Sequence, residues 1–133
     1  MAYRAAICDD CAADAQFVSE ILKAWADERG AEVNAEIYPS AESFLFAYDE
    51  NKAYDMLLLD IEMGGMDGVS MARRVRAGNK TVQIIFITGY SDYIAEGYDV
   101  AALHYLMKPV NREKLFGVLD VSLIHISEPT RPY

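Results

Sequence analysis

Met56-Leu57-Leu58-Leu59-Asp60 decides the fold: four apolar residues in a row, closed by an acid. A strand covered on both faces reads as such an unbroken run, the habit of a parallel sheet sandwiched between helices. Residues 5–8, 84–87 and 103–107 read the same way, and polar residues close them: Asp9-Asp10, Thr88 and Lys108-Pro109. One further strand differs. Val33, Ala35 and Ile37 alternate with Glu32, Asn34 and Glu36, the period of two that marks a half-exposed edge strand.

Helical patterns fill the gaps. Phe17, Val18, Ile21, Leu22 and Trp25 form one apolar face, Gln16, Glu20, Lys23 and Asp27 take the other, and Gly30 ends the helix. Ser40 caps a helix over 41–48. Asp67-Gly68 opens a third, with Val69, Ala72 and Val75 inward and Arg73, Arg74 and Arg76 mostly outward. Ser91 caps a short helix through 94–97, and Asn111 caps a last one carrying Leu115, Val118 and Leu119. Five β-α units with right-handed crossovers give a doubly wound parallel sheet. With the second strand at an edge, the order 2-1-3-4-5 follows, a flavodoxin-like (βα)5 fold whose ligands sit beyond the carboxyl ends of the strands.

Composition narrows the function. The 133 residues suffice for one domain, and 53% hydrophobic with 25% charged residues describes a chain able to bury a core. Twelve Lys and Arg against 21 Asp and Glu leave a net charge of −9, which argues against direct nucleic-acid binding by this segment. No apolar run approaches the roughly 18 residues of a membrane span. The N-terminus lacks the pattern of a secretory signal, and two cysteines cannot staple a domain of this size, so a cytoplasmic setting is expected.

At the carboxyl edge of such a sheet, Asp9, Asp10, Asp60, Thr88 and Lys108 converge. Two like charges about 4 Å apart repel by on the order of 4 kcal/mol at an effective dielectric near 20, so the carboxylates call for a bound cation. An all-oxygen site with few protein ligands suits Mg²⁺ shared with a phosphate. Lys108 supplies a charge and Thr88 a donor for that phosphate, and a carboxylate so placed can act as a nucleophile toward phosphorus.

These residues resemble the response-regulator receiver domain. Its acidic pair, phospho-accepting Asp, Thr/Ser and Lys-Pro are similar to Ile7-Cys8-Asp9-Asp10, Leu58-Leu59-Asp60-Ile61-Glu62-Met63, Phe86-Ile87-Thr88-Gly89-Tyr90 and Tyr105-Leu106-Met107-Lys108-Pro109 over about residues 3–120. Finer wording, including Ala102-Leu103-His104-Tyr105-Leu106-Met107-Lys108-Pro109-Val110, looks like the receivers that precede LytTR-type DNA-binding domains.

The resemblance implies that Asp60 takes a phosphoryl group from a sensor histidine kinase. Asp10 and Asp60 would ligate Mg²⁺ (or Mn²⁺) directly, Asp9 through water, and the Glu62 backbone carbonyl would join them. Lys108 would neutralise the phosphoryl oxygens, and its peptide bond to Pro109 would be cis. Thr88 would move to the phosphoryl group and Tyr105 swing inward, altering the face made by the fourth helix, fifth strand and fifth helix, through which a phosphorylation-dependent homodimer would form. Glu62 and Tyr90 would tune phosphoryl lifetime. The implied role is a switch rather than a metabolic enzyme. An unphosphorylated pseudo-receiver is one alternative; a phosphatase with an aspartyl nucleophile is another, although that family places its nucleophile in Asp-x-Asp at the first strand.

Two departures and the tail qualify the match. Met63-Gly64-Gly65-Met66-Asp67-Gly68 lacks the proline common in this loop, which should loosen it. Gly89 replaces a common alanine and leaves the pocket open to water. Residues 122–133 resemble no receiver helix but look like a translated sequencing adaptor. The receiver is therefore expected over 1–121, followed by a non-native tail in which Leu123 and Ile126 extend the last helix to about residue 126 before Pro129 ends it.

Blander roles suit other residues. Cys8-Asp9-Asp10-Cys11 matches a C-x-x-C spacing, but two thiols cannot close a zinc site, so Cys8 reads as core and Cys11 as loop. His104 and His125 lack metal-site companions. Arg73, Arg74, Arg76 and Lys80 read as a solvated helix face, and Met63, Met66 and Met71 as core, loop cover or a kinase-docking patch.

Overall fold

In the computed structural model the described residues are 2–89, 102 and 104–127, the side chains of His125 and Ser127 excepted. Strands β1 (Ala2–Cys8), β2 (Glu32–Tyr38), β3 (Met56–Leu59), β4 (Gln83–Thr88) and β5 (His104–Met107) form one sheet in the order β2-β1-β3-β4-β5. Every pairing is parallel. Helices α1 (Ala12–Glu28), α2 (Ala41–Glu50), α3 (Gly68–Gly78) and a C-terminal helix (Arg112–Ser127) complete the described elements. The helix expected after Ser91 lies outside the described residues.

The unbroken apolar run of β3 has its reason in the two cores. Leu57 and Leu59 pack with Phe44, Leu45, Val69, Met71 and Val75 of α2 and α3. Met56 and Leu58 face the other way, toward Ile21, Leu22 and Trp25 of α1 and Leu115 and Leu119 of the C-terminal helix. Met63 and Met71 are buried in the first of these cores, which excludes them from a docking patch. The cysteines are free, Cys8 buried and Cys11 exposed.

Caps fall where the residue types place them. Ser40 and Ser43 form a reciprocal capping box at α2, and the Asp67 Oδ1 accepts from the Ser70 N–H at 2.7 Å at the start of α3. Asn111 does the same for Lys114 at 3.2 Å, and Gly30 takes a left-handed φ of 64° after α1.

Several side chains depart from their expected faces: β5, read as a strand covered on both faces, lies at the sheet edge and leaves His104 and Met107 exposed. Phe17 is half exposed, because the inward line of α1 runs through Ala15, Val18, Leu22 and Trp25, and Phe17 stands about 100° around the helix from Val18. Ile37 is also exposed on the open flank of the edge strand. Its neighbour Glu36 is drawn inward instead, to Arg4 Nη2 at 3.0 Å and the Tyr54 hydroxyl at 2.9 Å.

The C-terminal helix is tied to the end of α1 by two carboxylates, Glu28, which accepts from Arg112 Nη2 at 3.3 Å, and Asp120. Asp120 accepts from Trp25 Nε1 at 2.8 Å and from Arg29 Nε and Nη2 at 2.7 and 2.9 Å. Beyond it, Leu123 and Ile126 pack against the α1-side core, continuing the stripe of Leu115 and Leu119.

Candidate phosphoryl-acceptor site

Hydrogen bonding between neighbouring strands continues one residue past their ends, which aligns the functional side chains. The Asp60 N–H donates to the Cys8 carbonyl at 2.8 Å, the Asp9 N–H to Tyr38 at 3.1 Å and the Lys108 N–H to Thr88 at 2.8 Å. Asp9 Oδ1 then accepts from the Cys11 N–H at 2.9 Å, turning the chain into α1, while Asp60 Oδ1 accepts from the Ile61 N–H at 2.7 Å. One carboxylate oxygen from each of Asp9, Asp10 and Asp60 lies within 4.8 Å of the others. Asp9 and Asp60 are buried and Asp10 is exposed.

Lys108 closes this acidic cup. Its Nζ donates to Asp9 Oδ2 at 2.8 Å, Asp14 Oδ2 at 2.8 Å and Asp60 Oδ2 at 3.1 Å. Burial opposes the ammonium, but the hydrogen bonds to Asp14, Asp9 and Asp60 outweigh it and raise the Lys108 pKa. Burial raises the Asp9 pKa, against the pull of Lys108 and the Cys11 N–H, with the Asp60 charge adding to the rise. The Lys108 bond lowers that of Asp14. Asp14 escaped the sequence reading. Its signal was a fourth acid one helical turn beyond Asp10, but nothing local says that a lysine from the last strand arrives beside it.

The remaining predicted residues take distinct places. Thr88 is fully buried, and among the described residues its hydroxyl has no hydrogen-bond partner. Tyr105 is half buried, its ring tilted 47° to that of Phe86 with centroids 6.0 Å apart. Glu62 is exposed at the rim of a depression of about 590 Å³, lined also by Asp10, Cys11, Asp60, Gly64, Gly89 and Lys108. A Cβ on Gly89 would meet no described atom within 4 Å. The Lys108–Pro109 bond is cis. Tyr90 lies outside the described residues.

The loop after Asp60 is held despite its missing proline. Gly68 donates to the Ile61 carbonyl at 2.8 Å, and a Cβ on Gly68 would overlap the Asp60 carbonyl oxygen, so only glycine allows α3 to start this close. Gly65 takes a φ of 96°, and the Met66 N–H beside it donates to Glu42 at 3.1 Å. That bond lowers the Glu42 pKa. The expected loosening is thus opposed by a tether from α2.

Four carboxylates, Asp9, Asp10, Asp14 and Asp60, face one ammonium, a formal surplus of three negative charges. Such a donor set fits a divalent ion bound by oxygen. Residues 6–120 match the response regulator receiver domain model. The chain belongs to the response-regulator receiver family.

Relatives agree with this. The receiver is 34% identical over 104 residues to the transcriptional regulatory protein RprY of Bacteroides fragilis, covering 77% of this chain and 43% of RprY. It is 32% identical over 77 residues to the sensory transduction protein LytT of Bacillus subtilis, covering 56% of this chain and 32% of LytT. The chain thus spans less than half the length of either relative. In fold it is similar to the response regulatory domain of mrkE from Klebsiella pneumoniae, with a TM-score of 0.85 at 20% identity, covering 94% of this chain and 98% of that one. Receiver domains of two-component response regulators bind Mg²⁺ at an acidic pocket and interact with histidine kinases. Away from the site, a groove of about 570 Å³ runs between β5 and the C-terminal helix, past Tyr105, Met107, Val118 and Val121. No described helix is long and apolar enough to cross a membrane.

Proposed function

We propose that Asp60 accepts a phosphoryl group from a phosphohistidine of a sensor kinase and that the charge change drives an output. The observation that carries this reading is the Lys108 ammonium seated on Asp9 and Asp60, with the next strand ending in Thr88, whose buried hydroxyl has no partner among the described residues. An Asp60 oxygen attacks phosphorus, the P–N bond breaks, and the histidine nitrogen leaves with the bonding pair. The new acyl phosphate carries one more negative charge than the carboxylate it replaces. Asp9, Asp10, Asp60 and the Glu62 carbonyl would hold Mg²⁺, which supplies charge neutralisation at the phosphoryl oxygens. Lys108 passes from the carboxylate to a phosphoryl oxygen, and Thr88 donates its O–H to another, satisfying a group now buried without a partner. Tyr105, packed on Phe86 in the same sheet, then follows Thr88 and reshapes the groove along β5 and the C-terminal helix, where a phosphorylation-dependent homodimer would form. Glu62 and Tyr90 tune the lifetime.

The chain on this reading is a cytoplasmic switch and turns over no external substrate. Its output is transcription through a LytTR-type domain, favoured by the wording around Asp10, Asp60 and Lys108 and by the similarity to LytT. Acetyl phosphate or beryllofluoride with Mg²⁺ tests the core of it. A single modification, lost in Asp60→Asn, is expected; its absence supports a pseudo-receiver, and steady turnover of phosphomonoesters supports a phosphatase. Gene sequence beyond codon 121 tests the output and the adaptor-like tail: a longer receiver helix followed by a LytTR-type domain is expected, and the same twelve-residue ending refutes the tail's foreign origin.

A further inference from the structure

Asp14 is the one member of the acidic cup that the proposed function does not employ. It stands in the first turn of α1, and its side chain is 46% exposed, against 6% for Asp9 and 8% for Asp60. Even so, its Oδ2 holds Lys108 Nζ at 2.8 Å, as closely as Asp9 does and more closely than Asp60 at 3.1 Å. The ammonium has three protons and spends one on each carboxylate. A divalent ion entering among Asp9, Asp10 and Asp60 meets an ammonium already bonded to two of them, and the two cations repel.

We propose that Asp14 is a second seat for the Lys108 ammonium: a positioning residue toward which Lys108 withdraws as a divalent ion enters, so that ion and lysine share the acidic cup instead of competing for it. The idea rests on the phosphoryl-acceptor reading above and adds a residue to it. The geometry suits the role. Asp14 lies on the solvent side of the lysine, on a helix whose turn is fixed by the Asp9–Cys11 bond, and Lys108 reaches it without leaving Asp9.

Removing the Asp14 charge has two separable effects on Mg²⁺ affinity. It takes one anion from the neighbourhood, and it returns Lys108 to Asp9 and Asp60. Only the second needs the lysine, so a double-mutant cycle isolates it. Calorimetric titration with MgCl₂ on the 133-residue chain is expected to show Asp14→Asn weakening binding about tenfold with Lys108 present but about threefold or less in Lys108→Met, the residual of a screened, half-exposed charge. Asp14→Glu should restore affinity to within about twofold, because its longer carboxylate still reaches the lysine. Equal weakening in both backgrounds, or none in either, overturns the seat while leaving the phosphoryl-acceptor reading intact. Failure of the unaltered chain to bind Mg²⁺ overturns both.

Discussion

Gly68→Ala probes how tightly α3 is pressed against the phosphoryl-acceptor loop. The added Cβ would overlap the Asp60 carbonyl oxygen, 3.0 Å from the carbonyl carbon and 3.1 Å from Ile61 Cα, all of them backbone atoms that cannot rotate away. Relief requires α3 and residues 60–61 to part, which stretches the 2.8 Å bond from the Gly68 N–H to the Ile61 carbonyl. Overpacking of this kind costs about 1–3 kcal/mol and the weakened hydrogen bond about 1 kcal/mol. The better helix propensity of alanine returns up to about 1 kcal/mol, so a net loss of about 1–3 kcal/mol is expected. Urea unfolding followed through the single tryptophan, Trp25, which is fully buried, reads this as a lower midpoint at unchanged slope. Gly78→Ala is the control: it also lies in α3, its Cβ would meet no described atom within 4 Å, and it should be neutral or stabilising by up to about 1 kcal/mol. Acetyl phosphate labelling of Gly68→Ala should slow as well, since the displaced backbone is that of Asp60. If Gly68→Ala unfolds at the same urea concentration as Gly78→Ala, the steric argument is wrong.

Three further expectations follow from single contacts. Ser122 is fully buried in the C-terminal helix with its hydroxyl unpartnered among the described residues, so Ser122→Ala should raise stability by about 1 kcal/mol in the same urea assay. Bonds from Arg29 and Trp25 lower the folded-state pKa of Asp120; the stability they confer is therefore present above its unfolded value of about 4 and lost as pH falls through the folded one. Asp120→Ala should accordingly lower Tm at pH 7, with the gap from the unaltered protein closing in melts below about pH 4. Gly89→Ala adds a methyl group into space open among the described residues, so stability should hold while the phosphoryl group on Asp60 lasts roughly twofold longer or more as water is displaced; an unchanged decay of ³²P label would remove Gly89 from that role.

The residues legible in the sequence are those whose role is written locally. β3 announced itself because a strand sandwiched between two cores tolerates no polar residue, and the acids and the lysine followed because parallel strands deliver their carboxyl ends to one edge. Caps at Ser40, Asp67 and Asn111 obey rules spanning three residues. What stayed hidden depends on meetings between distant segments. Gly68 reads as a helix opener until the Asp60 carbonyl is seen against it. Asp14 reads as a polar first-turn residue until Lys108, 94 positions later, arrives at 2.8 Å. Phe17 fits an apolar stripe by spacing, yet the edge of that stripe is set by the width of the sheet that α1 covers.

The buried Thr88 hydroxyl bears on how a single phosphoryl group could move a whole face. An unsatisfied buried hydroxyl destabilises the resting state by about 1–3 kcal/mol, and every 1.4 kcal/mol recovered shifts a two-state equilibrium about tenfold. Satisfying Thr88 alone would therefore shift the populations by about tenfold to a hundredfold. A change from mostly one state to mostly the other needs about 10⁴-fold, so Thr88 supplies half of the drive at most. On the proposed function, the remainder falls to Lys108 exchanging a shared carboxylate for a more highly charged phosphoryl oxygen. That exchange gains least when the lysine is already satisfied, and three carboxylates satisfy it in the resting protein. Negative charge removed from around Lys108 should therefore make the proposed switch steeper, and negative charge added beside it should make it shallower.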